Sequence, residues 1–484
     1  MLAQRDDFFE SWLQVLEAIW RSANMPLLLL DSSPWPFRMT NISAILAEAE
    51  PRLSERPASP GQWASRSSTR AWVPMPKVPK AIRVWSLGLH ATLAMEPESI
   101  WKLLSAGSWE ISVEMVLARN YCNLGEMGRC TQNAAFAELL TKHVIPRAPA
   151  LNKLNKFPHV AEADQLEREF RAIAEVDEGV RKADVLMCSE PPFFCQMFLG
   201  MGKTIFGYIG NPFGAYLLPG QPQEEFYQAF QTKLAVGMNS FACMSPYLAA
   251  LIYWHSGIHV PVVRPLGLYT AASYMPSPLA KILVTKSIFV ATDMALVLND
   301  FVQALQELEE KARVPLKHFQ SNATRFVRLE HLSDRSWANW ARHRAAVFLP
   351  YDPQQMVFYE LYSMAIPMLV PDDSLLPFFI RFGYTNLQEF RYQRPGWHVP
   401  PEELPDWGEN AMPRELRWWS SLTDFALSPH LLRWRSIPEL LWQVLRGADL
   451  EKISSGMRME SQVRLLHAAD FWREAFNRAS AALA

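Results

Sequence analysis

The sequence predicts an α/β protein with two doubly wound, Rossmann-like domains whose parallel sheets face a common cleft. Short apolar runs without regular polar alternation recur from about residue 80, as expected of strands buried on both faces. Helical segments separate these runs, which is the pattern of successive βαβ units. The alternation of strand-like and helical segments starts again near residue 271, so the chain contains two α/β halves of similar size.

Composition narrows the possible functions. The 484 residues are 49 % hydrophobic and 20 % charged, a balance typical of globular proteins. The net charge is −2, so there is no overall positive field and nucleic acid is not expected as a partner. Five cysteines without a C-x-x-C motif predict neither a zinc ribbon nor a disulfide framework, and they indicate a reducing compartment.

No secretory signal or transmembrane segment is predicted. The first residues, MLAQRDDFFESW, contain two acids and lack the apolar core of a signal peptide. The most apolar stretch, 191–218, is broken by Lys203, Asn211 and Pro212, whereas a spanning helix needs about 20 unbroken apolar residues. We therefore expect a soluble, cytoplasmic protein.

Two segments precede the first α/β half. Residues 1–50 form a predicted helical extension, because 8–20 places its large apolar side chains on one helical face. Residues 51–79 are a predicted Pro-rich linker that contains six prolines, which favour an extended chain.

The first predicted domain spans 80–270 and the second spans 271–456, with a C-terminal helix over 457–484. In the first domain, strands are predicted at 82–89, 183–189, 203–210, 239–245 and 259–266, and helices at 97–104, 163–182, 192–201, 224–234 and 246–256. In the second, strands are predicted at 280–290, 324–331, 345–351 and 366–371, and helices at 294–312, 334–344 and 354–365. Ser333 is the expected N-cap of helix 334–344.

The most informative segment is FLPYDPQQMVFYELYSMAIPMLVPDD, 348–373, where a buried strand, a short turn, a helix and a returning strand follow one another. Asp352 and Glu360 stand eight positions apart in it. This segment resembles the donor half of nucleotide-sugar glycosyltransferases with the two-domain GT-B fold, many of which carry a Glu-x7-Glu pattern. The first acid is Asp in this chain, and the Gly-rich turn usual between the two acids is replaced by PQQMVFY.

The resemblance implies that Glu360 holds the ribose of a nucleotide-sugar donor, with Asp352 also on the donor side. A carboxylate near a helix N-terminus can accept bonds from both ribose hydroxyls, while the free N–H groups of the helix attract phosphate. The structural alternatives are that Glu360 is an ordinary solvated helix residue and that Asp352 only forms the turn before Pro353.

The leaving diphosphate would be neutralised by basic side chains. Lys286, after the predicted strand KILVT, is the first candidate, and Arg264, where the two halves join, is the second; a solvated lysine and a structural ion pair are the alternatives. The sequence contains no D-x-D motif and no His/Cys cluster with ligand spacing. A metal-independent reaction is therefore predicted, with no metal site and no cofactor beyond the nucleotide-sugar substrate.

Three residues at strand ends are candidates on the acceptor side. His90 follows the first strand, where it could act as a base towards an acceptor hydroxyl. Glu190 and Asn211 follow the next two predicted strands. A satisfied core histidine and ordinary loop residues are the alternatives for these positions.

The expected function is the metal-independent transfer of a sugar from a nucleotide-sugar donor to an unidentified acceptor. A non-catalytic binding or scaffold protein that keeps this fold is the main alternative, and the missing Gly-rich turn favours it. A nucleotide-sugar epimerase of the same fold is a further alternative.

Overall fold

A computed structural model gives the structure of the protein. It describes residues 80–89, 91–105, 109–117, 133–143, 163–210, 213–214, 217, 221–277, 281–285, 294–312, 324–377, 379, 404–405, 413–445 and 449–483. The predicted N-terminal extension and Pro-rich linker, 1–79, lie outside these residues.

The first sheet has five parallel strands: β1 (Lys80–Gly88), β2 (Trp109–Leu117), β3 (Val185–Cys188), β4 (Thr204–Ile209) and β5 (Ser240–Cys243). Their order in the sheet is β2-β1-β3-β4-β5. Strands β3 and β5 are buried along their whole length, as expected for a sheet covered on both faces.

The helices of the first domain connect these strands. They are α1 (Ala91–Ser105), α2 (Ala134–His143), α3 (Ala163–Val176), α4 (Glu178–Lys182), α5 (Phe194–Met197), α6 (Gln221–Ala229) and, after β5, α7 (Pro246–Ser256). Ser245 caps α7, because its side chain accepts the N–H of Leu248 and Pro246 occupies the first helical turn. Gly257 ends α7 with a left-handed backbone.

Residues 257–277, called here the inter-domain linker, connect α7 to the second sheet. That sheet contains β6 (Ile282–Val284), β7 (Phe326–Arg328), β8 (Ala345–Val347), β9 (Met368–Pro371) and β10 (Leu432–Trp434). Its order is β7-β6-β8-β9-β10, again entirely parallel. In chain order both sheets therefore follow the same 2-1-3-4-5 pattern.

Among the residues that the structure describes, the second domain has six further helices, and a long helix follows them. They are α8 (Met294–Ala312), α9 (Trp337–Trp340), α10 (Met356–Ser363), α11 (Pro413–Ser421), α12 (Asp424–Leu427), α13 (Ile437–Leu445) and the final α14 (Leu450–Leu483). Within the described residues, no helix is long and apolar enough to cross a membrane.

Helix α14 begins beside the second domain and returns to the first. Near its middle, Arg464 donates a hydrogen bond to Ser428 at 2.9 Å, on the second-domain side. Near its end, the ring of Trp472 packs edge-on against Trp101 of α1 with centroids 5.1 Å apart. Phe476 adds a contact with Phe206 of β4 at 5.3 Å. The last turns of the chain thus cover the core of the first domain.

The two-domain parallel α/β architecture predicted from the sequence is confirmed. The predicted strand 259–266 is wrong, since only an isolated bridge between Cys243 and Val262 forms there. The predicted cap Ser333 is also wrong: α9 is capped by Ser336, whose hydroxyl accepts the N–H of Asn339. The predicted domain boundaries stay predictions.

Candidate functional site

Both sheets reverse their winding between the first and third strands of each domain. In doubly wound sheets this switch point opens a crevice at the carboxyl ends of the strands, where ligands bind. In the first domain the crevice edge is formed by Leu89 and Glu190, whose backbones are joined by a 2.8 Å hydrogen bond. In the second, the N–H of Leu349 donates to the hydroxyl of Thr285 at 2.9 Å.

The carboxyl ends of the two sheets meet. Ser245 follows β5 of the first domain, and Gln354 follows β8 of the second. The side-chain amide of Gln354 donates to the hydroxyl of Ser245 at 3.2 Å. A ligand bound at the crevices would therefore lie where both domains can contact it.

Three of the predicted site residues, His90, Lys286 and Asn211, lie outside the described residues. Their roles stay predictions. Glu190 is described: it lies two residues after the end of β3 and is only 5 % exposed. It therefore lies at the crevice edge of the first domain, as expected from its position after a buried strand.

Glu360 lies in the second turn of α10 and is 6 % exposed. Its Oε1 accepts a hydrogen bond from the hydroxyl of Tyr269, in the inter-domain linker, at 3.0 Å. Burial raises the pKa of Glu360 from 4.5 to about 7, and hydrogen bonds from Tyr269 and the indole of Trp337 oppose that rise. The solvated-helix alternative is thus not what the structure shows, because this carboxyl is buried between the domains.

Asp352 forms the turn before α10. Its Oδ1 accepts the N–H of Gln354 at 2.9 Å, which is the local bond expected of a turn-forming aspartate. The residue is half-buried, and burial raises its pKa to about 7. Its contact is with its own turn, whereas the carboxyl of Glu360 contacts the linker.

Arg264 lies in the inter-domain linker and forms a buried ion pair. Its Nε donates to Oδ1 of Asp424 at 2.6 Å, and the hydroxyl of Tyr359 donates to Oδ2 at 2.7 Å. The neighbouring Asp424 carboxylate raises the pKa of Arg264. This is the structural ion pair that stood as the alternative to diphosphate binding, and the diphosphate role stays a prediction.

Glu96 of α1 is a buried carboxyl that the sequence analysis missed. It is fully buried, and its two oxygens accept the backbone N–H groups of Leu266 and Gly267 at 2.6 and 2.9 Å. Burial raises its pKa to about 7; the two backbone bonds lower the pKa, and the charge of Glu360 raises it further. The available signal was an acid within the otherwise apolar stretch ATLAMEP.

The cysteines were not expected to form a disulfide framework, yet the described residues contain one disulfide bond. Cys188, the last residue of β3, is bonded to Cys195 of α5, with Cα atoms 5.3 Å apart. The bond closes the loop that contains Glu190. The free Cys243 is buried, and burial raises the pKa of its thiol. Across the described part of the chain, no group of three or more His, Cys, Asp or Glu side chains could hold a metal ion.

Solved structures similar to this chain include glycosyltransferases. CalG4, the calicheamicin glycosyltransferase, is 11 % identical with a TM-score of 0.37, covering 84 % of this chain and 99 % of that one. UGT2 of Phytolacca americana, complexed with UDP-2-fluoro-glucose and pterostilbene, is 9 % identical with a TM-score of 0.36, covering 79 % and 94 %. SnogD from Streptomyces nogalater is 11 % identical with a TM-score of 0.35, covering 82 % and 100 %.

A scan against protein-family models found no match, and a search of curated proteins found none either. The two-domain architecture rests on the strand order and register of this chain itself.

Proposed function

We propose that the protein transfers a glycosyl group from a nucleotide-sugar donor to an acceptor without a metal ion or a further cofactor. The observation that carries the proposal is the position of Glu360, whose buried carboxyl lies on α10 where the second domain contacts the inter-domain linker. Burying a carboxyl group costs folding free energy unless the group has hydrogen-bond partners. An ionised carboxylate can accept hydrogen bonds from two ribose hydroxyls.

The other proposed roles belong to residues that lie mostly near the carboxyl ends of strands. Lys286 is proposed to neutralise the diphosphate, with Arg264 and Asp352 as further donor-side residues. His90 is proposed to face the acceptor as a base, with Glu190 and Asn211 beside it. In this scheme the sugar–phosphate bond breaks as the acceptor oxygen bonds to the sugar, and the acceptor proton passes to the base.

A cytoplasmic location belongs to the same proposal. Structural disulfides are rare in the cytosol, and the Cys188–Cys195 bond is therefore the feature of this structure that weighs against it. Counting free thiols in protein purified under non-reducing conditions tests this point. Five reactive thiols after denaturation would agree with a reducing compartment, and three would contradict it.

A non-catalytic binding or scaffold role is the second candidate. The observation that favours it is the ion pair of Arg264 with Asp424, which uses one proposed diphosphate-binding side chain to hold the linker against the second domain. Under this reading the fold is kept while the donor site is lost.

Calorimetric titration with nucleoside diphosphates separates the two functions. The wild type should bind at least one of them equally well with and without chelator. Glu360→Gln should weaken that binding about ten-fold or more, because charge-assisted hydrogen bonds contribute roughly 1.5–3 kcal/mol. Glu224→Gln, on the exposed face of α6, is the matched control and should bind like the wild type.

If neither the wild type nor any variant of the residues around Glu360 binds a nucleoside diphosphate, the glycosyltransferase proposal is overturned in favour of the scaffold. Loss of binding on chelation would overturn its metal independence. Hydrolysis or transfer of a nucleotide sugar, followed by release of the diphosphate, is the measurement that establishes turnover.

A further inference from the structure

Tyr269 lies between two buried carboxyl groups that come from different domains. Its hydroxyl donates to Oε1 of Glu360 at 3.0 Å, on α10 of the second domain. Glu96, on α1 of the first domain, acts electrostatically on both Tyr269 and Glu360. The tyrosine itself belongs to the inter-domain linker, so its contact with Glu360 depends on the position of the linker.

The linker is held from the first domain by Glu96. Its carboxylate accepts two successive backbone N–H groups, those of Leu266 and Gly267, in the manner of a backbone anion nest. Gly267 has a left-handed backbone, with φ at 55°, and a Cβ added there would lie 2.4 Å from the hydroxyl of Ser363. The linker is therefore tightly packed against α10 and then enters the 3-10 turn Leu268–Thr270, which carries Tyr269.

Glu360 has hydrogen-bond donors of two different origins. The indole of Trp337 belongs to α9 of the second domain, and its ring packs edge-on against that of Tyr269 with centroids 5.3 Å apart. Tyr269 is held by the linker, and thus by Glu96 of the first domain. Two other polar groups lie here. The hydroxyl of Thr92 bonds to Tyr269, and burial together with the charge of Glu96 raises the pKa of Tyr208 on β4.

A phenol hydroxyl and a ribose hydroxyl are equivalent donors towards a carboxylate oxygen. With Oε1 already bonded to Tyr269, a ribose that binds Glu360 through this oxygen must first displace the phenol. The exchange replaces one hydrogen bond by another, so the ribose gains little from it. The hydroxyl left behind must then find another partner inside a buried contact.

We propose that Tyr269 is an internal competitor for the ribose-binding carboxyl of Glu360, so that the linker inhibits nucleotide binding until it is displaced. The inference rests on the proposed function, because it assigns regulation to the same carboxyl. Entry of the nucleotide breaks the Tyr269–Glu360 bond and loosens the linker from α10. Glu96 is a positioning residue in this arrangement, since its bonds to Leu266 and Gly267 hold the linker that carries Tyr269.

The test compares Tyr269→Phe with Tyr274→Phe. Both variants remove a single phenol hydroxyl from the linker, and Tyr274 donates to the carbonyl of Arg344 at 2.8 Å, away from Glu360. Calorimetric titration with UDP, GDP and TDP should show Tyr269→Phe binding the preferred diphosphate about ten-fold more tightly than the wild type, since one bond to a carboxylate no longer has to be broken. Tyr274→Phe should leave the affinity unchanged.

Glu96→Gln provides a second variant that keeps the tyrosine hydroxyl. The amide can still accept one backbone N–H but not both, so the linker should loosen and affinity should rise in the same direction by a smaller factor. Thermal unfolding of each variant establishes that it is folded under the conditions of the titration.

The outcomes separate this inference from the proposed function. If the wild type binds a diphosphate and Tyr269→Phe binds it equally or more weakly, the competitor role is overturned and the proposed function stands. If only Tyr269→Phe binds, both are supported, because the tyrosine then masks the site completely. If neither protein binds any of the three, both are overturned.

Discussion

Replacing Glu360 by glutamine should make the stability of the protein less sensitive to pH. The carboxyl is 6 % exposed, and burial raises its pKa from 4.5 to about 7. Between these two values the folded protein binds a proton that the unfolded chain releases. The contribution of this carboxyl to stability is therefore fully present below about pH 4.5 and is lost as the pH rises through 7.

The size of the effect follows from that pKa. A rise of about 2.5 pH units, at 1.36 kcal/mol per unit, corresponds to about 3 kcal/mol of unfolding free energy. Glutamine has no charge to bury at any pH. The difference in unfolding free energy between the variant and the wild type should therefore change by about 3 kcal/mol in favour of the variant between pH 4 and pH 8.

Urea unfolding at several pH values measures this difference. The comparison cancels the titrations that the two proteins share, apart from that of Glu96, whose pKa is raised by burial and further by the charge of Glu360. Glu224→Gln is the control, because it removes a carboxyl from an exposed position of a helix. Its difference from the wild type should stay nearly constant with pH. A difference for Glu360→Gln that is equally constant would refute the reasoning, since the carboxyl would then ionise as freely as an exposed one.

Two further predictions concern packing and charge. Trp472→Ala should lower the unfolding free energy by about 3–5 kcal/mol in urea unfolding, because the ring is fully buried against Trp101; Phe471→Ala, whose ring is half-buried, should cost less. Arg264→Met should cost about 3–5 kcal/mol by leaving Asp424 buried without its cation, and adding Asp424→Leu should recover most of the lost thermal stability. A double variant as unstable as the single one would show that the unpaired charge is not the cause.

The strands that the sequence predicted correctly are those buried on both faces, such as β3 and β4, where every position is apolar or small. Strand β2 was missed because Glu110, Ser112 and Glu114 interrupt its apolar residues, and this pattern suits the edge position that β2 occupies. Strand β10 was missed for a related reason. It has only three residues, it lies at an edge of the second sheet, and the sequence around it has a helical pattern.

The candidate site was predicted only in part. Glu360 could be found because its motif is local, within one strand–turn–helix unit. Glu96 could not, since its partners Leu266 and Gly267 lie 170 and 171 positions away. Pro97 also misled the prediction of helix α1. A proline favours the first turn of a helix, so the helix was predicted to begin at 97, whereas α1 begins six residues earlier and contains Pro97 in its interior.

The return of α14 to the first domain has a consequence for the order of folding during synthesis. The last strand of the first sheet ends at Cys243, but the ring that covers its core, Trp472, is translated about 230 residues later. At roughly 5–20 residues per second, this delay is on the order of 10–50 s. Through that time Trp101 and Phe206 lack their final cover, so the nascent chain presents an aromatic surface to which chaperones can bind.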